Sequence, residues 1–192
     1  MFYNNKLFYN NKLLTLPQCE YFGNNIICIT FGQNYINMSI QLGQQAPDFV
    51  LFNTEKNKVA LHDYRGKNVV ILFFPLAFTG VCTSELCSMR DNMNVYSSLN
   101  ADIIGISVDS LFVLDRFKKE NNLDFPLLSD FNKEISTAYG CLYDTFVFDM
   151  QGVSKRSAFV VDAEGIIRYA EVLESAGDLP NFTAIQDCLK NL

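Results

Sequence analysis

Six consecutive positions, Val69-Val-Ile-Leu-Phe-Phe74, carry only β-branched, aliphatic and aromatic side chains. A run this short and this apolar reads as a strand covered on both faces, which demands a sheet lying between two other layers. Pro75 ends it, because proline brings no N–H to a strand ladder. Ile103-Ile-Gly-Ile-Ser-Val108 is a second buried run of the same kind. Between them, from Cys82 or Thr83 to about Leu99, the residues Leu86, Met89, Met93 and Tyr96 recur at intervals of three and four, the period of a helix. Strand, helix and strand in that order make a parallel pair joined by a crossover.

The flanking sequence completes the layers. Asp48–Phe52 and Val59–Leu61 predict two short strands joined by the polar turn Asn53–Lys58, and Tyr64–Asn68 predicts a loop. Asp109 is placed to cap a helix through Leu111, Leu114 and Phe117, with Lys118 and Lys119 at the end where the macrodipole favours cations. Phe125-Pro-Leu-Leu precedes a short helix, about Asn132 to Ala138, which Gly140 ends. Ser157–Asp162 and Ile166–Val172 flank an Ala-Glu-Gly turn as a hairpin, and a last helix spans about Asn181 to Lys190. The fold class that follows is α/β: a mixed central sheet flanked by helices, of the thioredoxin-like kind, with an N-terminal hairpin. It occupies residues 38–192 as one domain.

Residues 1–37 have another character. They hold eight Asn and only three charged residues (Lys6, Lys12 and Glu20), and a near-repeat, Phe2-Tyr-Asn-Asn-Lys6 and Phe8-Tyr-Asn-Asn-Lys12. Ile26-Ile-Cys-Ile29 is too short for the apolar heart of a signal peptide, and the segment lacks the Arg and Ser of a transit peptide. We expect an Asn-rich extension, poorly ordered or not native, with the natural start at Met38; a targeting leader is the lesser alternative.

Composition narrows the function classes. With 15 basic against 21 acidic residues the net charge is -6, a poor match to nucleic acid or anionic lipid. There is no apolar run long enough to span a membrane as a helix. Six cysteines stand against a single histidine. A chain with a core of this size needs no disulfide staples, and without a secretory signal the expected setting is reducing and cytoplasmic. Cys82 and Cys87 are the only close pair of cysteines, so no tetrahedral zinc set can be assembled, and no metal or other cofactor is expected. His62, in Leu-His-Asp-Tyr, reads as a surface turn residue. Cys19, Cys28, Cys141 and Cys188 read as small buried hydrophobes.

Cys82 reads differently. It follows a central strand and a Gly-containing loop at the start of a helix, where the ligands of open α/β sheets gather. The orphan N–H groups and positive end of the helix favour an anion, and the thiolate is the reactive form of cysteine. Here the sequence resembles the peroxiredoxins, thiol peroxidases of the alkyl hydroperoxide reductase and thiol-specific antioxidant superfamily. Pro75-Leu-Ala-Phe-Thr79-Gly-Val-Cys82 matches their Pro-x-x-x-Thr-x-x-Cys signature. Gly43-Gln-Gln-Ala-Pro-Asp-Phe49 and Lys155-Arg-Ser-Ala-Phe-Val-Val-Asp162 extend the likeness, which runs from about Leu42 to Leu192.

The resemblance implies a role for each matching position. Cys82 is the peroxidatic cysteine, whose thiolate attacks the terminal oxygen of hydrogen peroxide or an organic hydroperoxide and becomes a sulfenic acid. Thr79 hydrogen-bonds the thiolate and the peroxide through its hydroxyl, and Pro75 shields the pocket. Arg156 stabilises the thiolate and polarises the substrate, while the N–H groups of Val81 and Cys82 bind the developing anion. Glu85 either holds Arg156 or is a first-turn carboxylate suited to the helix dipole. With no histidine at hand, a cation, a helix end and fixed dipoles must activate the sulfur.

Cys87 decides the subclass. In the Q-type, bacterioferritin comigratory protein-like branch, a resolving cysteine stands five residues after the first on the same helix, as Cys87 does. Phe125-Pro-Leu-Leu-Ser-Asp130 and Ala138-Tyr-Gly140 look closer to the one-cysteine, E-type branch, which lacks that cysteine and relies on outside thiols. The presence of Cys87 favours an intramolecular Cys82–Cys87 disulfide reopened by thioredoxin, with Cys141 in reserve. Five residues along a regular helix separate Cα atoms by roughly 8–9 Å, beyond the roughly 7 Å a disulfide bridges, so the helix start must unwind. Two alternatives remain: a one-cysteine enzyme resolved by external thiols, or a peroxide sensor without turnover. A thioredoxin-type reductase needs Cys-x-x-Cys, a spacing not met here. Monomer and homodimer are both open, and Phe78, Tyr143, Phe146 and Phe148 suit either a dimer contact or a pocket rim.

Overall fold

Val69 to Phe73 are each at most 1% exposed in the computed structural model. The structure describes residues 40–192 throughout and, before them, only the strands at 6–9, 12–15, 18–22 and 25–29. The chain divides into two compact units, Met1–Asn37 and Met38–Leu192. In the first, β1 (Lys6–Tyr9) pairs antiparallel with β2 (Lys12–Thr15), and β3 (Gln18–Phe22) with β4 (Asn25–Ile29). The expectations of poor order, a non-native origin or a leader role rest on residues and side chains, Cys19 and Cys28 included, that lie outside those described.

The second unit carries β5 (Val50–Asn53), β6 (Lys58–Ala60), β7 (Asn68–Phe73), α1 (Gly80–Asp91), α2 (Met93–Ser98), β8 (Ala101–Ser107) and α3 (Leu111–Glu120). It continues with β9 (Leu127–Ser129), α4 (Glu134–Ala138), β10 (Leu142–Tyr143), β11 (Val153–Ser154), β12 (Ser157–Val161), β13 (Ile167–Val172) and α5 (Phe182–Lys190). Seven strands form one sheet in the order β13-β12-β7-β8-β9-β5-β6. β7, β8 and β9 run parallel and the remaining pairs antiparallel, the mixed thioredoxin-type sheet that the alternation of strands and helices predicts.

The two-residue period of a strand feeds two separate cores. Val70, Leu72, Ile103, Leu127 and Val160 face one side with Leu86 and Met89 of α1, Tyr96 of α2, Leu114 and Phe117 of α3, and Ile185 and Leu189 of α5. Val69, Ile71, Phe73, Ile104, Ile106 and Phe159 face the other with Leu61 and Tyr139, and Ile135 of α4 packs against them. Cys82 belongs to the first core and Cys141 to the second, so the sheet lies between them.

Several boundaries differ from the sequence reading. The long helix begins at Gly80 and is broken at Asn92, whose side chain turns back to the Ser88 carbonyl at 2.8 Å. Asp109 is not the cap of α3: Ser110 is, its hydroxyl accepting from the Val113 N–H. β9 begins in the Phe125–Leu128 stretch, to which the sequence assigns no element; three residues are too few to show a period, and parallel pairing with β8 makes the strand. The short ladder between β10 and β11 was also not foreseen. Gly140, with φ +65°, ends α4 as expected.

Candidate active site

β7 ends against Pro75, which is buried, and the chain crosses a short loop into α1. Two contacts set that loop. The Ala77 N–H donates to Asp109 Oδ2 at 2.8 Å, and Phe78, held at φ +64°, stacks edge-on against Phe117 at 5.1 Å. The Ser107 hydroxyl donates to the same Asp109 oxygen at 2.9 Å. Asp109 thus fastens the end of β8 to the loop that carries Thr79. The sequence reading missed this role because an aspartate after a strand looks the same whether it caps the next helix or holds a neighbouring loop.

Thr79 is the N-cap residue of α1, but its side chain makes no cap bond. Its hydroxyl instead donates to the Leu76 carbonyl at 2.9 Å. The N–H groups of the first turn, at Gly80, Val81 and Cys82, have no intrahelical acceptors. Gly80, Val81 and Cys82 line a cleft of about 350 Å³, together with Pro75, Thr79, Arg156, Phe146, Val147, Phe148, Met150, Ala176 and Gly177. Cys82, Thr79, Pro75, Val81 and Arg156 are therefore brought together at one cleft. Phe146 and Phe148 are rim residues of it. Val147, Met150, Ala176 and Gly177 were not anticipated; they arrive on irregular loops, where no periodicity marks them.

The charges sit below the cleft. Arg156 is 1% exposed, and its Nη2 donates to Cys82 Sγ at 3.4 Å and to the Ala176 carbonyl at 2.8 Å. Its Nη1 donates to Glu85 Oε2, and Glu85 is 0% exposed. Of the two readings of Glu85, partner of Arg156 or first-turn carboxylate suited to the helix dipole, the contact with Arg156 is the one observed. Burial pushes the Glu85 carboxyl up to about 7 although Arg156 pulls it back. Burial alone would lower Arg156, but the charges of Glu85 and Cys82 more than reverse this and raise it.

Cys87 lies apart. It is half-buried on the same continuous helix, with Sγ 3.9 Å from Asn121 Oδ1 at the end of α3. Cys141 is fully buried on the far side of the sheet, and burial pushes its thiol up. Cys82, Cys87, Cys141 and Cys188 are all outside any disulfide. Among the described residues no cluster of three metal-ligating side chains exists, and no helix is long and apolar enough to cross a membrane. His62 is an exposed turn residue whose Nδ1 meets Asp48 Oδ2 at 2.8 Å.

A buried cysteine at the open N-terminus of a helix, touched by a buried arginine on a thioredoxin-type sheet, defines a thiol-based redox protein. The chain belongs to the AhpC/TSA family, whose model matches residues 42–170. It is 41% identical over 137 residues to alkyl hydroperoxide reductase E of Mycobacterium tuberculosis, covering 69% of this chain and 86% of that one. To the chloroplastic 2-cysteine peroxiredoxin of Chattonella marina var. antiqua it is 39% identical over 146 residues, covering 70% and 72%. Among solved structures it resembles the reduced 2-Cys peroxiredoxin of Plasmodium vivax (TM-score 0.70, 28% identity, 79% and 81% covered). A structure of Xanthomonas campestris peroxiredoxin Q is also similar (TM-score 0.66, 26% identity, 74% and 90% covered). Peroxiredoxins are thiol-dependent peroxidases, and membership supports that activity here.

Proposed function

We propose that Cys82 is the peroxidatic nucleophile of an enzyme that reduces hydrogen peroxide and organic hydroperoxides in a reducing, cytoplasmic setting. The observation that carries this reading is the 3.4 Å contact of Arg156 Nη2 with Cys82 Sγ at the uncapped start of α1. A guanidinium and a helix end both favour a thiolate, and both stay in place when charge moves from sulfur to the leaving oxygen. The thiolate attacks the terminal oxygen, the O–O bond breaks, and water or an alcohol departs once the leaving oxygen gains a proton. Because the Thr79 hydroxyl gives its proton to Leu76, its lone pairs are what it offers the peroxide O–H. Pro75 and the N–H groups of Val81 and Cys82 complete the pocket.

Resolution follows through Cys87, whose thiol attacks the sulfenic sulfur with loss of water; thioredoxin then reopens the disulfide. The competing route, direct attack by an external thiol, is favoured by the engagement of Cys87 with Asn121 on an unbroken helix. Peptide mass mapping after one equivalent of peroxide separates the two: an 82–87 linkage supports the intramolecular route, and an unlinked Cys82 sulfenic acid supports the other. Sustained turnover with thioredoxin, its reductase and NADPH supports an enzyme. A single stoichiometric oxidation would mean a sensor.

A further inference from the structure

The site holds two buried acids and one buried cation. Arg156 touches both, with Nη2 on Cys82 Sγ and Nη1 on Glu85 Oε2. All three side chains are at most 1% exposed. With both acids ionised the cluster would carry a net buried negative charge, and an uncompensated buried charge is strongly destabilising. Glu85 adds a second sign of this imbalance: its Oε1 is buried with no hydrogen-bond partner, a poor environment for a charged carboxylate. We propose that Glu85 and Cys82 share a single proton across Arg156, which rests on Glu85 while Cys82 is a thiolate and is given up when the sulfur loses its charge.

The groups around the pair leave this arrangement undisturbed. Arg156 is the charged group acting on Glu85, and Arg156 in turn feels Glu85 and Cys82. Tyr143 of β10 also feels Arg156, but its own ionisation is pushed up, first by burial. Lys155, next in sequence, is taken up by Glu174 at 2.8 Å. The raised carboxyl of Glu85 agrees with a proton resting there.

The proposal rests on the peroxidase reading for its catalytic meaning and makes the first half-reaction self-contained. The thiolate takes the terminal OH of the peroxide, and the O–O bond breaks with its electron pair leaving on the other oxygen. In net, the Glu85 proton neutralises that hydroxide or alkoxide, so no proton is drawn from solvent. The buried cluster begins as thiolate, guanidinium and carboxylic acid, and ends as sulfenic acid, guanidinium and carboxylate. Its net charge is zero before and after.

Proton counting tests this. The reduced full-length protein carrying Cys87→Ser is alkylated with iodoacetamide near neutral pH in weak buffer, with an indicator dye reading protons and mass spectrometry reading every cysteine, so that about one proton is subtracted for each other thiol modified. Displacing iodide consumes no proton, so with Glu85 present about one proton is released per Cys82 modified, and in Glu85→Gln about none. Equal release by the two proteins overturns the proposal. Should Glu85→Gln not fold, the Glu85 protein decides alone through its ultraviolet thiolate absorbance. A thiolate at the outset with about one proton released supports a shared proton; a thiolate with no release, or no thiolate at all, refutes it. A peroxide pulse read the same way gives about zero uptake with Glu85 and about one with Gln. Failure of peroxide to oxidise Cys82 counts against the peroxidase reading only, because alkylation still reads the proton.

Discussion

The two Nη groups of Arg156 serve a sulfur, a carboxylate and the Ala176 carbonyl, which puts its charge against Cys82. Arg156→Met keeps much of the volume and removes the charge, leaving the sulfur with the helix end alone. Removal of one preorganised charged donor is expected to slow the reaction of Cys82 with peroxide by a factor on the order of 10²–10³. Stopped-flow measurement of that step checks it, with circular dichroism to confirm the fold; a wild-type rate would mean that the helix end suffices. Thr79→Val tests a smaller term, since it preserves shape but deletes the oxygen and frees the Leu76 carbonyl. We expect kcat/KM to drop by about 10–100-fold, with Thr79→Ser recovering most of it, the size of one lost hydrogen bond to a reacting group.

At the scale of elements, the proposed reaction sets α1 two incompatible tasks. Its intact start would activate Cys82, yet the same continuous helix holds Cys87 out of disulfide reach. The proposed Cys82–Cys87 step then requires local melting, and its rate should follow the helix propensity of an exposed position between the two cysteines. Ser84 is exposed there. Exchanging it for Gly and for Ala spans about 1 kcal/mol, so Ser84→Gly should form the disulfide about fivefold faster than Ser84→Ala. Equal rates would show that α1 does not unwind in the rate-limiting step.

The buried runs of β7 and β8 and both flanking hairpins were legible because strand period and burial write themselves into sequence. The contacts between elements were not. Asp109 and Ser110 are both good cap residues, and only the tertiary bond to Ala77 assigns Asp109 to the loop. The cleft wall at Val147 and Met150 depends on the β10–β11 ladder and on positive φ at Phe148 and Asp149, which have no sequence period. The residues of the Pro-Thr-Cys signature were readable as a set; the carbonyl that takes the Thr79 hydroxyl, and the Asn121 side chain that meets Cys87, were not.

For the whole molecule the buried acids set how stability depends on pH, and they act in opposite directions. Asp162 at the β12–β13 turn accepts the N–H groups of Glu164 and Ile166 and pairs with Arg168. Burial raises its carboxyl, but these partners outweigh that and hold it below the usual 3.8. Its contribution is present above that value and is lost as pH falls through the folded one. Glu85 has the reverse sign. Its carboxyl rises from 4.5 to about 7 on folding, so between those values the folded chain keeps a proton that the unfolded chain has released. The Glu85 term in the stability then falls as pH climbs through that window and levels off above it. A displacement of this size in a fully buried group corresponds to about 3 kcal/mol at most, or roughly 5–10 °C in Tm for a domain of this length. Glu85→Gln cannot ionise and should lack that term, whatever its overall stability. Thermal melts of the two reduced proteins from pH 5 to pH 8 isolate the term in the difference between their slopes. Parallel curves would mean that Glu85 is ionised in the folded protein at every pH in the window, and that Arg156 balances two anions after all.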